Sequence, residues 1–246
     1  NGDPFGLQRS DAFVCDGSIG EDGVLNELVV HNLKKLLVIV LFLSNLSFSQ
    51  TDDDNYEIYS IVISERLEFG IHNKTDSIIL VEKYVPRFPP EFEVVADFTA
   101  DSIPNWAYNI LYTQTYRNED FVKRIKNDKE LKRAIKDFTT DFNDHPKLNS
   151  EILKTDRLNI QTISSKKYYS YFGKKNMRID KAWKRIKKKF GTRHVVEFSK
   201  IKYYKNFATV FYEHHCGGLC GSGNMVVFEK VNGKWTILSE INFWMS

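Results

Sequence analysis

The hydrophobic period of the chain changes at Gly191, and that change limits the folds open to it. Before the glycine, Ile179, Ala182, Trp183, Ile186 and Phe190 fall on one face of a helix over Arg178 to Phe190, with Arg178, Lys181, Lys184 and Lys188 around the rest. After it the period is two, and Val195 to Ile201, Ala208 to Tyr212, Met225 to Glu229 and Trp235 to Leu238 read as successive strands. Asn232-Gly233, between the last two runs, carries the signature of a two-residue hairpin turn. The pattern predicts an α+β fold, with helices packed on a C-terminal antiparallel β-meander.

The earlier part of the chain is less sharply marked. Tyr56 to Ile63 and Ser77 to Lys83 are short apolar runs that suit strands, although the first could equally open as a helix. Prolines and acids between Pro86 and Pro104, with Pro89-Pro90 among them, read as a loop. Phe121, Val122, Ile125, Leu131, Ile135 and Phe138 then recur at helical spacing, with Asn118 as a cap and Asn127-Asp128 as a break. There is no internal repeat and no low-complexity tract.

Lys34-Lys35, the apolar run Leu36 to Leu43, and Ser47 and Ser49 at the small-residue positions together read as a secretory signal peptide over residues 33–49. Cleavage after Ser49 would leave Gln50 at the mature N-terminus. The apolar run is shorter than the ~20 residues a membrane span needs, so no transmembrane span is expected in the mature protein. Residues 1–32 read as an untranslated or disordered extension, and 50–246 as a single α+β domain. The expected location is periplasmic or secreted. Setting aside the three basic and six acidic residues before position 50 leaves 32 basic and 26 acidic ones, a net charge of +6. The basic residues crowd into Lys166 to Lys205 and read first as a solvated face; the partner they would suit is an anionic cell-envelope surface.

The chemistry-bearing residues gather in His214-His215-Cys216-Gly217-Gly218-Leu219-Cys220-Gly221-Ser222-Gly223. With Cys15 removed alongside the leader, Cys216 and Cys220 form an even pair, which in an oxidising compartment reads as a disulfide. The stretch looks like a glycine-rich loop of about a dozen residues, which a short covalent closure would make less costly to order. Gly217, Gly218, Gly221 and Gly223 would supply positive backbone dihedrals. The alternative is a zinc or copper site built from His214, Cys216 and Cys220 with a fourth ligand unassigned. His215 would then pair with Glu213 on the opposite side of the strand, and either could serve as a base in metal-dependent hydrolysis. His214, His215, Gly221, Ser222 and Gly223 are also weak candidates for a binding role, the glycines through backbone amides that could cradle an anion. A redox-active pair is disfavoured by the Cys-x-x-x-Cys spacing and by the strand that follows.

Other chemistries find little support. Gly221-Ser222-Gly223 lacks the lysine and helix of a phosphate-binding loop, and no Gly-x-Ser-x-Gly occurs. Tyr168 to Lys175 is basic and aromatic, but nucleic acid is not expected of an exported chain, and a packed strand or a glycan contact suits the stretch better. No catalytic residue and no resident cofactor is assigned.

The segment Trp183 to Ser246 resembles a group of exported bacterial proteins of flavobacterial type. The likeness is carried by Phe198-Ser199, Ala208-Thr209-Val210, the Cys-Gly-x-Leu-Cys-Gly-type loop at Cys216 to Gly223, Met225 to Lys230, Asn232-Gly233-Lys234-Trp235 and Trp244-Met245-Ser246, and extends to Tyr56 to Ser60. The resemblance implies export and a shared fold, and no activity. The expectation is therefore a non-enzymatic structural or binding domain with a disulfide-stapled loop.

Overall fold

The computed structural model describes residues 54–67, 77–85, 93–100, 102–140, 145–155, 157–173 and 178–246, all within one contact-dense unit, Asp52–Ser246. The proposed signal peptide and extension lie outside the described residues. Among those residues no helix is long and apolar enough to cross a membrane.

The C-terminal strands form as their period predicts, and they run longer. β5 (Phe207–Gly217), β6 (Cys220–Val231) and β7 (Lys234–Met245) make an antiparallel meander. Asn232 and Gly233 both take positive φ, 52° and 80°, and close the β6–β7 hairpin in the left-handed conformation that asparagine and glycine tolerate. The helix α7 (Ile179–Phe190) stops at Gly191, whose φ of 76° makes it the left-handed cap.

The sheet is larger and more mixed than a meander. Its order is β2-β1-β3-β5-β6-β7, with β4 (Lys202–Tyr204) also on β5. β1 (Ser77–Val81) pairs in parallel with both β2 (Asn159–Ile163) and β3 (Val195–Phe198). Being flanked on both edges and covered on both faces, β1 is an almost continuous apolar run, Ser-Ile-Ile-Leu-Val. Tyr56 to Ile63 takes the helical alternative: α1 spans 54–62 and passes into a π-turn, Ile63–Leu67.

Strand alternation sorts the core onto two faces. Ile78, Leu80, Val196, Val210, Val226 and Phe228 meet Ile58, Tyr59, Val62 and Ile63 of α1 and its π-turn. On the opposite face, Phe211, Met225, Val227 and Ile241 meet α2 (Glu93–Phe98), α3 (Asn105–Gln114), α4 (Glu119–Asn127) and α5 (Lys129–Thr140). Ile79, Val81 and Val195 pack there against α6 (Ser165–Ser170) and α7. The cap read from sequence is in place, Asn118 Oδ1 accepting from Phe121 N at 3.0 Å, and at the expected break Asp128 Oδ1 accepts from the amides of Glu130 and Leu131 at 3.0 Å and so caps α5. Arg124 of α4 is tied to β6 by two 2.6 Å hydrogen bonds from its guanidinium to Glu229.

Between β3 and β4 the ladder slips by one residue at Ser199. Ser199 N donates to Phe211 O, Phe211 N donates to Ser199 Oγ, and Tyr59 OH donates to Ser199 O, each at 2.9 Å. A side-chain hydroxyl thus satisfies a ladder amide that the irregularity would leave buried.

Candidate functional site

The His-His-Cys-Gly-Gly-Leu-Cys-Gly stretch is strand, not loop. β5 and β6 stay paired as far as Gly217 opposite Cys220, leaving only Gly218 and Leu219 to turn, with one irregularity between His215 and Gly217. Cys216 and Cys220 are disulfide-paired across this turn, with Cα atoms 5.1 Å apart. The staple therefore joins the ends of a tight turn, and the dozen-residue loop that motivated it does not exist.

The glycines also serve another purpose than expected. Among the described residues, Gly191 and Gly233 are the glycines with positive φ, so Gly217, Gly218, Gly221 and Gly223 do not need the left-handed region. Gly221 and Gly223 instead make room for the Trp244 indole. A Cβ on Gly223 would stand 2.6 Å from Trp244 Cε2, and one on Gly221 would stand 2.9 Å from His214 O and 3.2 Å from Trp244 Cζ3. Gly221, Ser222 and Gly223 sit in the ladder between β5 and β7. Gly221 N donates to Ser246 O at 3.3 Å and Gly221 O accepts from Ser246 N at 3.0 Å, a strand-pairing role and not an anion cradle.

Alternation then divides the polar side chains between the two faces. On the α1 face, His214 lies opposite Val196, and its ring is nearly parallel to that of His194, the residue before β3: centroids are 5.3 Å apart with an interplanar angle of 11°. His194 Nδ1 and His214 Nε2 are 3.0 Å apart. Ligand atoms of His194, His214 and Cys216 all lie within 4.8 Å of one another. Burial, then His194 and His215, pull His214 down to about 4; burial and Arg193 lower His194 as well. Both shifts favour the neutral imidazole.

On the other face, Glu197 and Glu213 are register partners, and His215 Nε2 is 3.3 Å from Glu213 Oε2. The expected division of His214 from His215 and Glu213 is therefore found. Glu197 is 1% exposed. The Tyr169 hydroxyl lies 2.8 Å from Glu197 Oε2 and 2.9 Å from Val85 O, and its one proton serves one of these at a time. Tyr84 OH donates to Glu213 Oε1 at 3.3 Å. Burial first, and these carboxylates next, hold both phenols protonated far above their ordinary range. The ring of His215 stands 5.5 Å from that of Trp244. Glu197, Glu213 and His215 bring oxygen and nitrogen ligand atoms within 4.8 Å of one another, a set suited to proton exchange or to a hard or borderline cation.

Sequence reading missed His194, Glu197, Tyr84 and Tyr169. The first two stand beside Val195 and Val196 in β3, and only the β3–β5 register brings them to His214 and Glu213. Tyr169 was placed on a packed strand or a glycan contact; it is in α6 and points at Glu197. With the sulfurs bonded to each other, the His214, Cys216 and Cys220 metal set has no thiolate in this form. Comparison with family models, with curated proteins and with solved structures gives no match.

Proposed function

We propose that this chain is an exported binding or structural module of the bacterial envelope, without catalytic activity, that presents the stapled tip of the β5–β6 hairpin to a partner. The observation that carries the reading is the disulfide across a two-residue turn whose apical residue, Leu219, is 90% exposed. A cross-link at that place holds an exposed apolar residue on a defined backbone, which lowers the ordering cost of a contact made there. Export is supported by the Lys34 to Ser49 pattern and by a cysteine pairing suited to an oxidising compartment. The solvent-facing Lys184, Lys187, Lys188 and Lys189 of α7 make an anionic surface the favoured environment.

The test is to express the full chain in a bacterium with a cell envelope, fractionate the cells and sequence the N-terminus of the product. The reading expects an envelope or secreted protein that begins at Gln50. A cytosolic product retaining residues 33–49 would overturn it.

A further inference from the structure

We infer that two-electron reduction of the Cys216–Cys220 disulfide converts the hairpin tip into a four-ligand zinc site made of His194, His214, Cys216 and Cys220. The inference goes beyond the proposed function and does not depend on where the chain is sent.

The imidazole pair is the foundation. His194 Nδ1 and His214 Nε2 are 3.0 Å apart, and a hydrogen bond between two ring nitrogens uses one lone pair and one proton. When the shared proton moves to the distal nitrogen of its ring, through solvent, both lone pairs face the same space. Two nitrogen ligands at about 2.0–2.1 Å from tetrahedral zinc stand about 3.3 Å apart. To reach that spacing the pair has to open by a few tenths of an ångström, and both rings have to turn so that their lone pairs converge on one ion instead of on each other. Cys216 Sγ lies within 4.8 Å of a ring nitrogen of each histidine, against about 3.6 Å between nitrogen and sulfur ligands of one zinc. Cys220 Sγ is bonded to Cys216 Sγ and so is a single bond from the cluster. His194 enters from the start of β3, His214 and Cys216 from the end of β5, and Cys220 from the start of β6, so strand register fixes their approach. Two sulfurs and two imidazoles are a donor set that closes around zinc in structural sites.

The disulfide keeps this site shut, because sulfurs bonded to each other offer no thiolate. A dithiol reductant supplies two electrons and two protons, is itself oxidised to a cyclic disulfide, and leaves two thiols on the hairpin. Zinc binding then displaces one proton from each thiol into solvent. The hairpin tip would alternate between a covalent staple and a metal staple over the same four side chains.

The experiment reduces the full chain with a dithiol under anaerobic conditions, removes the reductant and titrates Co²⁺ as a spectroscopic probe, followed by Zn²⁺. One equivalent of Co²⁺ should give a thiolate-to-cobalt charge-transfer band and the intense visible bands of a tetrahedral site, and Zn²⁺ should bleach them. The disulfide form should show neither band. His194→Ala and His214→Ala should weaken zinc binding by more than about 100-fold, since loss of a ligand's supporting partner alone costs roughly 10–100-fold. Cys15→Ser, outside the set, should leave the spectrum unchanged. X-ray absorption on the wild-type zinc complex should count two sulfur and two nitrogen donors, which tests the ligand set even where a variant fails to fold. Absence of the charge-transfer band in the reduced chain, an oxygen-rich shell, equal binding by the disulfide form, or wild-type affinity in His194→Ala would overturn the inference.

Discussion

At the scale of single residues, the hairpin tip is marked by a close backbone approach at Gly223 and by a half-buried imidazole at His214. Gly223 is required because an indole occupies the volume a side chain would take. Gly223→Ala should destabilise the fold by about 1–3 kcal/mol, the usual cost of overpacking, measured by denaturant unfolding; a neutral result would mean that Trp244 does not rest on β6. His214 carries a signature of its environment. The unfolded chain takes up a proton at an ordinary histidine value near 6.5, while the folded one resists until about 4. Between these values the unfolded state binds more protons, so the stability contributed by His214 is fully present above about pH 6.5 and is lost as pH falls through about 4. NMR titration of its ring carbons in the disulfide form should find the depressed value, and a midpoint near 6.5 would show that the ring is not buried against His194.

At the scale of elements, the local signals were legible and the distant pairings were not. Gly191 as a change of period, Asn232-Gly233 as a turn, Asn118 as a cap and Asn127-Asp128 as a break could be read because each acts on backbone within a few residues of itself. The tip of the β5–β6 hairpin was misread because its glycines, cysteines and histidines look like loop composition, while the reason strands tolerate them, the Trp244 ring, lies about 20 residues away in β7. The parallel pairing of β1 with β2 and β3 leaves one local trace, the apolar run of β1, which does not name its partners because long crossover segments separate them. The β3–β4 irregularity makes an element-level prediction. Ser199→Ala removes the acceptor for Phe211 N and should cost about 1–3 kcal/mol, as expected for a buried amide left without its partner. Thermal or chemical unfolding checks it, and a loss below a few tenths of a kcal/mol would indicate that the ladder closes without the hydroxyl.

At the scale of the whole molecule, the described residues form a seven-stranded mixed sheet with helices on both faces that holds two polar clusters back to back near one hairpin end. One pairs imidazoles with sulfur, and the other pairs carboxylates with imidazole. α+β character and the basic, amphipathic α7 could be read from periodicity; the clusters could not, because each draws its members from β3 and β5, whose register is a property of the assembled sheet. The amphipathic helix leads to a charge prediction: reversing Lys187, Lys188 and Lys189 to glutamate should weaken binding to anionic polysaccharide in a salt-dependent manner, and binding indifferent to both salt and reversal would remove the anionic surface as a partner. All of this turns on the state of two sulfur atoms. The measurement that tests it most directly is mass spectrometric mapping of the natively produced chain, digested without reductant and alkylated before unfolding. The account predicts a peptide containing Cys216 and Cys220 that is two hydrogens lighter than the dithiol and carries no alkyl group. Recovery of that peptide with both cysteines alkylated would contradict it.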